Sequence, residues 1–324
     1  MSKDTTRAPR KQAVINGNGQ NNEMKVDGKP ATRLPVLKTY KLYIGGQFPR
    51  TESGRYYQPA DARGVALANV CRGSRKDVRD AVAVARKAFG GWSARSAYNR
   101  GQILYRIGEV LEGRSDQFID ELALHGMSME RARTEVATSV DRCIHYAGWC
   151  DKYQALFSSV NPISSSHFNF SVQEPSGVVA LMADGANPLS GLIGMIAPAI
   201  AGGNTCVVVA SEAMPLPSIT LSEVLATSDL PGGVVNIITG FRNELLKPLV
   251  SHMDVNALVV AGATPEERAM LDLEAASNLK RVIYRTIDDW SSADGQSPYF
   301  ILDTQEVKTT WHPIEKGQGG AGGY

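Results

Sequence analysis

The run "VVAGATPEER", residues 259 to 268, joins an apolar β-branched segment to a polar one through Gly262. A glycine at such a corner lets the backbone approach a diphosphate, and the free N–H groups of a following helix would face its charge. The same residues also close on themselves. Thr264 supplies an N-cap, Pro265 a first-turn proline and Glu267 a capping-box carboxylate. Glu266 and Glu267 put negative charge where a phosphate would sit, so the turn reads as a self-capped helix start that is poor for anions.

The thiols and imidazoles are the other chemistry-bearing groups. Cys71, Cys143, Cys150 and Cys206 form no CxxC pair, and the five histidines show no HExxH or HxxxH spacing. This reads as a reduced, cytoplasmic protein without structural zinc. In "CIHYAGWC" the cysteines at 143 and 150 are seven apart on a helix and share a face beside His145. Such a set could ligate a metal, but packing is the reading that better fits so apolar a segment.

These residues need elements to position them. "SRKDVRDAVAVARKAF" opens with Ser74 and Asp77 as a capping box, and helical stripes follow through "GQILYRIGEVLEGR", "SDQFIDELALHG" and "EVATSVDRCIHYAGWCDKYQALF". "HFNFSVQEP" alternates as a strand of a projecting hairpin, about 155–175. Then "GVVALMA", "TCVVVAS", "VVNIITG", "ALVVAG" and "KRVIYRTI" alternate with helical segments, the pattern of a parallel sheet covered on both faces. The fold class is α/β, Rossmann-like and doubly wound, with N-terminal helices and ligands expected beyond the carboxyl ends of the strands.

At 324 residues with 43% hydrophobic side chains, the chain can bury a full core. Thirty-four basic and thirty-three acidic residues, dispersed along it, give no field that argues for nucleic acid or a membrane surface. The division expected is a disordered polar tail over 1–36, one domain over 37–303, and a short glycine-rich tail over 304–324. The first residues lack an apolar h-region, and Met24 is an alternative start.

The segments "KLYIGGQF", "AFGGWSA", "YAGWCDK", "EPSGVVALM", "NPLSGLIGMIAPAIAGGNTCVVVASE", "LPGGVVNIITG" and "SNLKRV", in this order, resemble the aldehyde dehydrogenase superfamily from about Tyr40 to about Asp303. The resemblance implies an NAD(P)-binding domain, a catalytic domain that provides a cysteine nucleophile, and an oligomerisation hairpin. It also implies site residues, and these depart from the family pattern. The oxyanion asparagine is Ala186, with Asn187 one residue late. The ribose-binding lysine is Val209, while Glu212 is kept. Gly240 is kept, but Arg242 stands where a small residue is usual and could fill the adenine pocket. Gly262 and Thr264 match a Gly-Ser-Thr turn whose pyrophosphate-binding serine is Ala263 and whose later glycine is Glu267. The general base is Arg285, which stays protonated and cannot take a proton. "GQGG" would be the remnant of the nucleophile loop, placing Gly319 or Gly320 at the cysteine, with most of the catalytic domain absent; a plain flexible end is equally compatible.

The reading that follows is a family member without catalytic residues, resembling the second module of long two-module members and assembling with a complete aldehyde dehydrogenase, or else with itself. The alternatives are an NAD(P)-dependent aldehyde oxidoreductase, and a non-catalytic dinucleotide sensor resting on Glu212, Gly240, Gly262 and Thr264.

Overall fold

The computed structural model describes residues 36–314, so the tail before them and Gly319 and Gly320 lie outside the described residues. A small sheet comes first: β1 (Thr39–Tyr40), β2 (Tyr56–Tyr57) and β3 (Asn69–Cys71), with β3 in the middle. Four helices follow: α1 (Arg75–Ser93), α2 (Ala97–Glu112), α3 (Ser115–Leu124) and α4 (Met129–Ala147). The Ser74 and Asp77 capping box that starts α1 is present, and Asp77 also accepts the Thr51 hydroxyl at 2.7 Å. A short helix α5 (Tyr153–Phe157) leads into β4 (Ser159–Val160) and β5 (His167–Pro175), which pair antiparallel.

The doubly wound part is β6 (Val178–Met182), α6 (Ser190–Ala201), β7 (Thr205–Val209), α7 (Leu216–Ala226), β8 (Val235–Ile238), α8 (Arg242–Val250), β9 (Ala257–Ala261), α9 (Pro265–Ala276) and β10 (Arg281–Arg285). Its five strands are all parallel, in the order β10-β9-β6-β7-β8. The strand period of two divides the core between two faces. Val179, Leu181, Cys206 and Val208 meet α6 and α7, while Val178, Ala180, Met182, Val207 and Val209 meet α1, α8 and α9. Each fully buried valine or leucine contributes roughly 1.5–3 kcal/mol relative to an exposed one. Every residue of α6 is buried, because α2 and α4 form a further layer over it.

After β10 the chain crosses α6 through residues 286–298, makes a short helix α10 (Tyr299–Leu302) and enters β11 (Gln305–Pro313). Trp290 lies on Gly191 and Gly194; a Cβ at Gly194 would collide with the indole, and one at Gly191 would be held tightly against it. Arg142 holds the crossing by donating to the carbonyls of Trp290, Ser292 and Gly295 and to Gln296 Oε1.

β11 corrects the expectation of a glycine-rich tail from residue 304. It pairs antiparallel with β5 over all nine residues, giving a sheet of order β11-β5-β4. The sequence "QEVKTTWHP" alternates too weakly to declare itself as a strand; what makes it one is the free edge of β5. Val160, Phe168, Val307 and Trp311 of this sheet are exposed. No helix among the described residues is long and apolar enough to cross a membrane.

Candidate functional site

In a parallel sheet of this order the two halves of the chain leave β6 in opposite directions, β7 and β8 on one side and β9 and β10 on the other. The crevice at such a switch point is where doubly wound folds take ligands. A cavity of about 540 Å³ lies there, lined by the β6 end (Met182 to Asn187), by Val209, Glu212, Arg242, Gly262, Ala263 and Arg268, and by Arg285 to Asp288. Of the residues singled out from the sequence, Ala186, Glu212, Arg242, Gly262 and Arg285 are brought together on its wall. Gly240 and Thr264 do not line it.

Each has a local task. Asp184 Oδ1 accepts the N–H groups of Ala186 at 3.0 Å and Asn187 at 2.7 Å, which folds the β6–α6 loop, and the Ala186 carbonyl accepts from Arg131 at 2.7 Å. Asn187 is buried against the first turn of α6. Gly262 has φ +61°, and a Cβ there would come within 3.2 Å of Asp184 Cβ, so glycine serves the contact between two loops. Gly240, at φ +150°, packs against Gly73 at the entrance to α1.

Arg242 spans the switch point. Its guanidinium donates to the Ala183 carbonyl beyond β6 at 2.9 Å, to the Ala261 carbonyl at the end of β9 at 3.1 Å, and to both oxygens of Glu267 at 2.9 and 3.2 Å. The pair is about four-fifths buried, with 21% and 22% of the two side chains exposed. The expectation of an uncompensated repelling charge at Glu267 is thereby corrected: Arg242 neutralises it.

Three helix starts face the crevice region, and each is met by a carboxylate of the chain itself. Glu267 closes the capping box of α9 with Thr264. Glu212, exposed, accepts the Arg242 backbone N–H at the start of α8 at 3.1 Å. Glu135, reaching from α4, accepts the N–H groups of Leu189 and Ser190 and the Ser190 hydroxyl at 2.9–3.0 Å. Burial holds the Glu135 carboxyl above its ordinary range, with those hydrogen bonds opposing. Sequence reasoning missed Glu135, although its place on the buried stripe of α4, one heptad before Arg142, marks it.

Arg285 is fixed by an ion pair with Asp303 and lies 3.9 Å from the Phe300 ring centroid. Arg268 lies 4.6 Å from the centre of the Tyr284 ring and makes no ion pair among the described residues. All four cysteines are buried. Burial pushes the thiols of Cys143 and Cys150 up to about 12 and raises that of Cys206 further. A thiol held so high is a poor nucleophile. No group of three or more His, Cys, Asp or Glu able to hold a metal occurs among the described residues.

The fold and this crevice define a Rossmann-like, doubly wound α/β domain. The model of the aldehyde dehydrogenase family matches residues 49–317, and the chain belongs to that family. It is similar to the mitochondrial benzaldehyde dehydrogenase of Antirrhinum majus, 34% identical over 84% of this chain and 50% of that protein. It is also similar to the mitochondrial 10-formyltetrahydrofolate dehydrogenase of Homo sapiens, 30% identical over 90% of this chain and 32% of that one. Among solved structures, an aldehyde dehydrogenase of Bacillus cereus in complex with NAD+ superposes with a TM-score of 0.73 at 26% identity, over 76% of this chain and 50% of that one. PnpE in complex with nicotinamide adenine dinucleotide does so with a TM-score of 0.72 at 29% identity, over 75% and 50%. The chain spans half or less of the length of these relatives.

The residues at the crevice do not fit the cofactor those two structures contain. A dinucleotide needs open helix N-termini or free cations for its diphosphate. Here the termini carry carboxylates, the guanidinium at the switch point is already paired, and Arg268, the cation of the wall without an ion pair among the described residues, is turned to the Tyr284 ring and the Ala263 carbonyl.

Proposed function

We propose that this chain is a non-catalytic member of the aldehyde dehydrogenase family, working as a subunit that assembles with a complete aldehyde dehydrogenase. The observation that carries this reading is Arg285. At the position where the family resemblance implies a general base stands a permanent cation, tied to Asp303 and stacked on Phe300. A guanidinium cannot remove a proton from a thiol or a water, all four thiols of this chain are buried, and burial raises those of Cys143, Cys150 and Cys206.

Assembly finds support in the β11-β5-β4 sheet. Phe168 and Phe170 share one face with Val160 and Thr310, and Trp311 and Val307 lie on the other. Val160, Val307 and Trp311 are each more than half exposed, which is costly for a lone chain in water. Among the described residues β11 is an edge strand of this sheet, with no strand on its outer side.

The test is the mass and composition of the complex isolated from native cells without crosslinking, together with aldehyde oxidation by the purified chain. A stoichiometric full-length aldehyde dehydrogenase and no turnover by the chain alone are expected. Turnover of any aldehyde by the isolated chain would overturn the reading.

A further inference from the structure

We infer that the Arg242–Glu267 pair is a built-in plug, and that this chain has exchanged dinucleotide binding for an internally satisfied crevice. The inference goes beyond the assembly reading and does not depend on it, because it concerns the crevice alone.

The geometry is specific. Arg242 is the first residue of α8, on the β8 side of the sheet, yet its guanidinium crosses to the carboxyl ends of β6 and β9, the two strands between which the chain reverses. Two carbonyls and one bidentate carboxylate take up four of its N–H contacts. A guanidinium in such a fork is held far more firmly than a mobile surface arginine. Glu267 is fixed in turn by its reciprocal bonds with Thr264 across the α9 capping box.

A diphosphate entering here would have to displace Arg242 from two carbonyls and approach a carboxylate left without its partner. The alternative, leaving the pair intact, would place the diphosphate over a site whose cation is already neutralised. The two other helix starts offer no substitute, since Glu135 and Glu212 occupy them. The helix starts and the guanidinium at the switch point are thus bonded within the chain, and Arg268, on the outer wall, donates its Nε to the Ala263 carbonyl at 3.4 Å and stands over the Tyr284 ring.

The experiment is a calorimetric titration of the full chain with NAD+, NADP+ and AMP at millimolar concentration, alongside the double variant Arg242→Gly/Glu267→Gly. The wild type is expected to give no saturable heat and no ligand-dependent rise in melting temperature. The double variant is expected to bind NAD+ with an affinity gain of about a hundredfold or more, the factor that losing two hydrogen bonds to charged groups represents. Arg242→Ala/Glu267→Gln, which keeps a side-chain acceptor for the capping box of α9 and leaves no bare carboxylate at the crevice, is the second variant in case the first one melts, and should gain part of the same affinity. Saturable binding of NAD+ by the wild type would overturn the inference. A folded variant that binds no better than the wild type would overturn it too, by showing that this pair is not what closes the crevice.

Discussion

Glu135 on α4 caps α6: its carboxylate accepts the backbone N–H groups of Leu189 and Ser190 at 3.0 and 2.9 Å, more than fifty residues away in the chain. The helix it caps is buried along its whole length and begins without a side-chain cap of its own. Open N–H groups buried at a helix start would cost about as much as lost hydrogen bonds, so this carboxylate supports both the helix and the loop at the crevice.

Replacing Glu135 by Leu should therefore lower stability by about 3 kcal/mol, since it leaves buried donors without partners. Glu135→Gln keeps an acceptor and should cost less. Chemical denaturation of the two variants gives the comparison, and equal losses would mean that the hydrogen bonds are not what matters.

Gly194 is the seat of Trp290, whose ring carbon Cζ3 lies 2.5 Å from where a Cβ would stand. Gly194→Ala should cost about 2 kcal/mol and shift the fluorescence of Trp290 toward that of a solvated indole, because the fully buried ring must move. An unshifted spectrum with unchanged stability would contradict this packing.

Arg285→Glu places a carboxylate beside Asp303 in a largely buried position. It should lower the melting temperature and produce no aldehyde dehydrogenase activity, because no accessible thiol accompanies it. NADH formation by that variant would show a nucleophile where none is expected.

His125, next after α3, is depressed to about 4 by burial, and its Nε2 has no partner. The unfolded chain takes up a proton below about 6.5 that the folded chain refuses until about 4. Stability should thus be full above pH 6.5 and fall as pH drops through that window. His125→Gln should flatten this part of the stability–pH curve; an unchanged slope would assign it to other groups.

Trp311→Asp on β11 should leave the melting temperature nearly unchanged, since the side chain is 58% exposed, while reducing the mass of the native complex. Retention of the full complex would place the assembly surface elsewhere.

The five core strands were legible because β-branched runs of four or five residues between helical segments have few other uses, and all five form as expected. The self-capped starts of α1 and α9 were equally legible, since every atom of a capping box lies within four residues. The expectation that Arg285 stands at the general-base position rests only on the order of motifs along the chain. What the sequence could not hold were contacts whose partners are far apart in it. Glu135 reads as one more charge on a helix until α4 is laid over the start of α6. "QEVKTTWHP" becomes a strand only because β5 has a free edge. Arg242 could be foreseen as bulky, but whether it pointed to solvent or into the crevice depended on the Ala183 and Ala261 carbonyls and Glu267, which come from three other elements. Local hydrogen-bond chemistry and hydrophobic period are written in short windows of sequence; the pairing of buried charges is decided by which elements the packed sheet brings within three ångströms of one another.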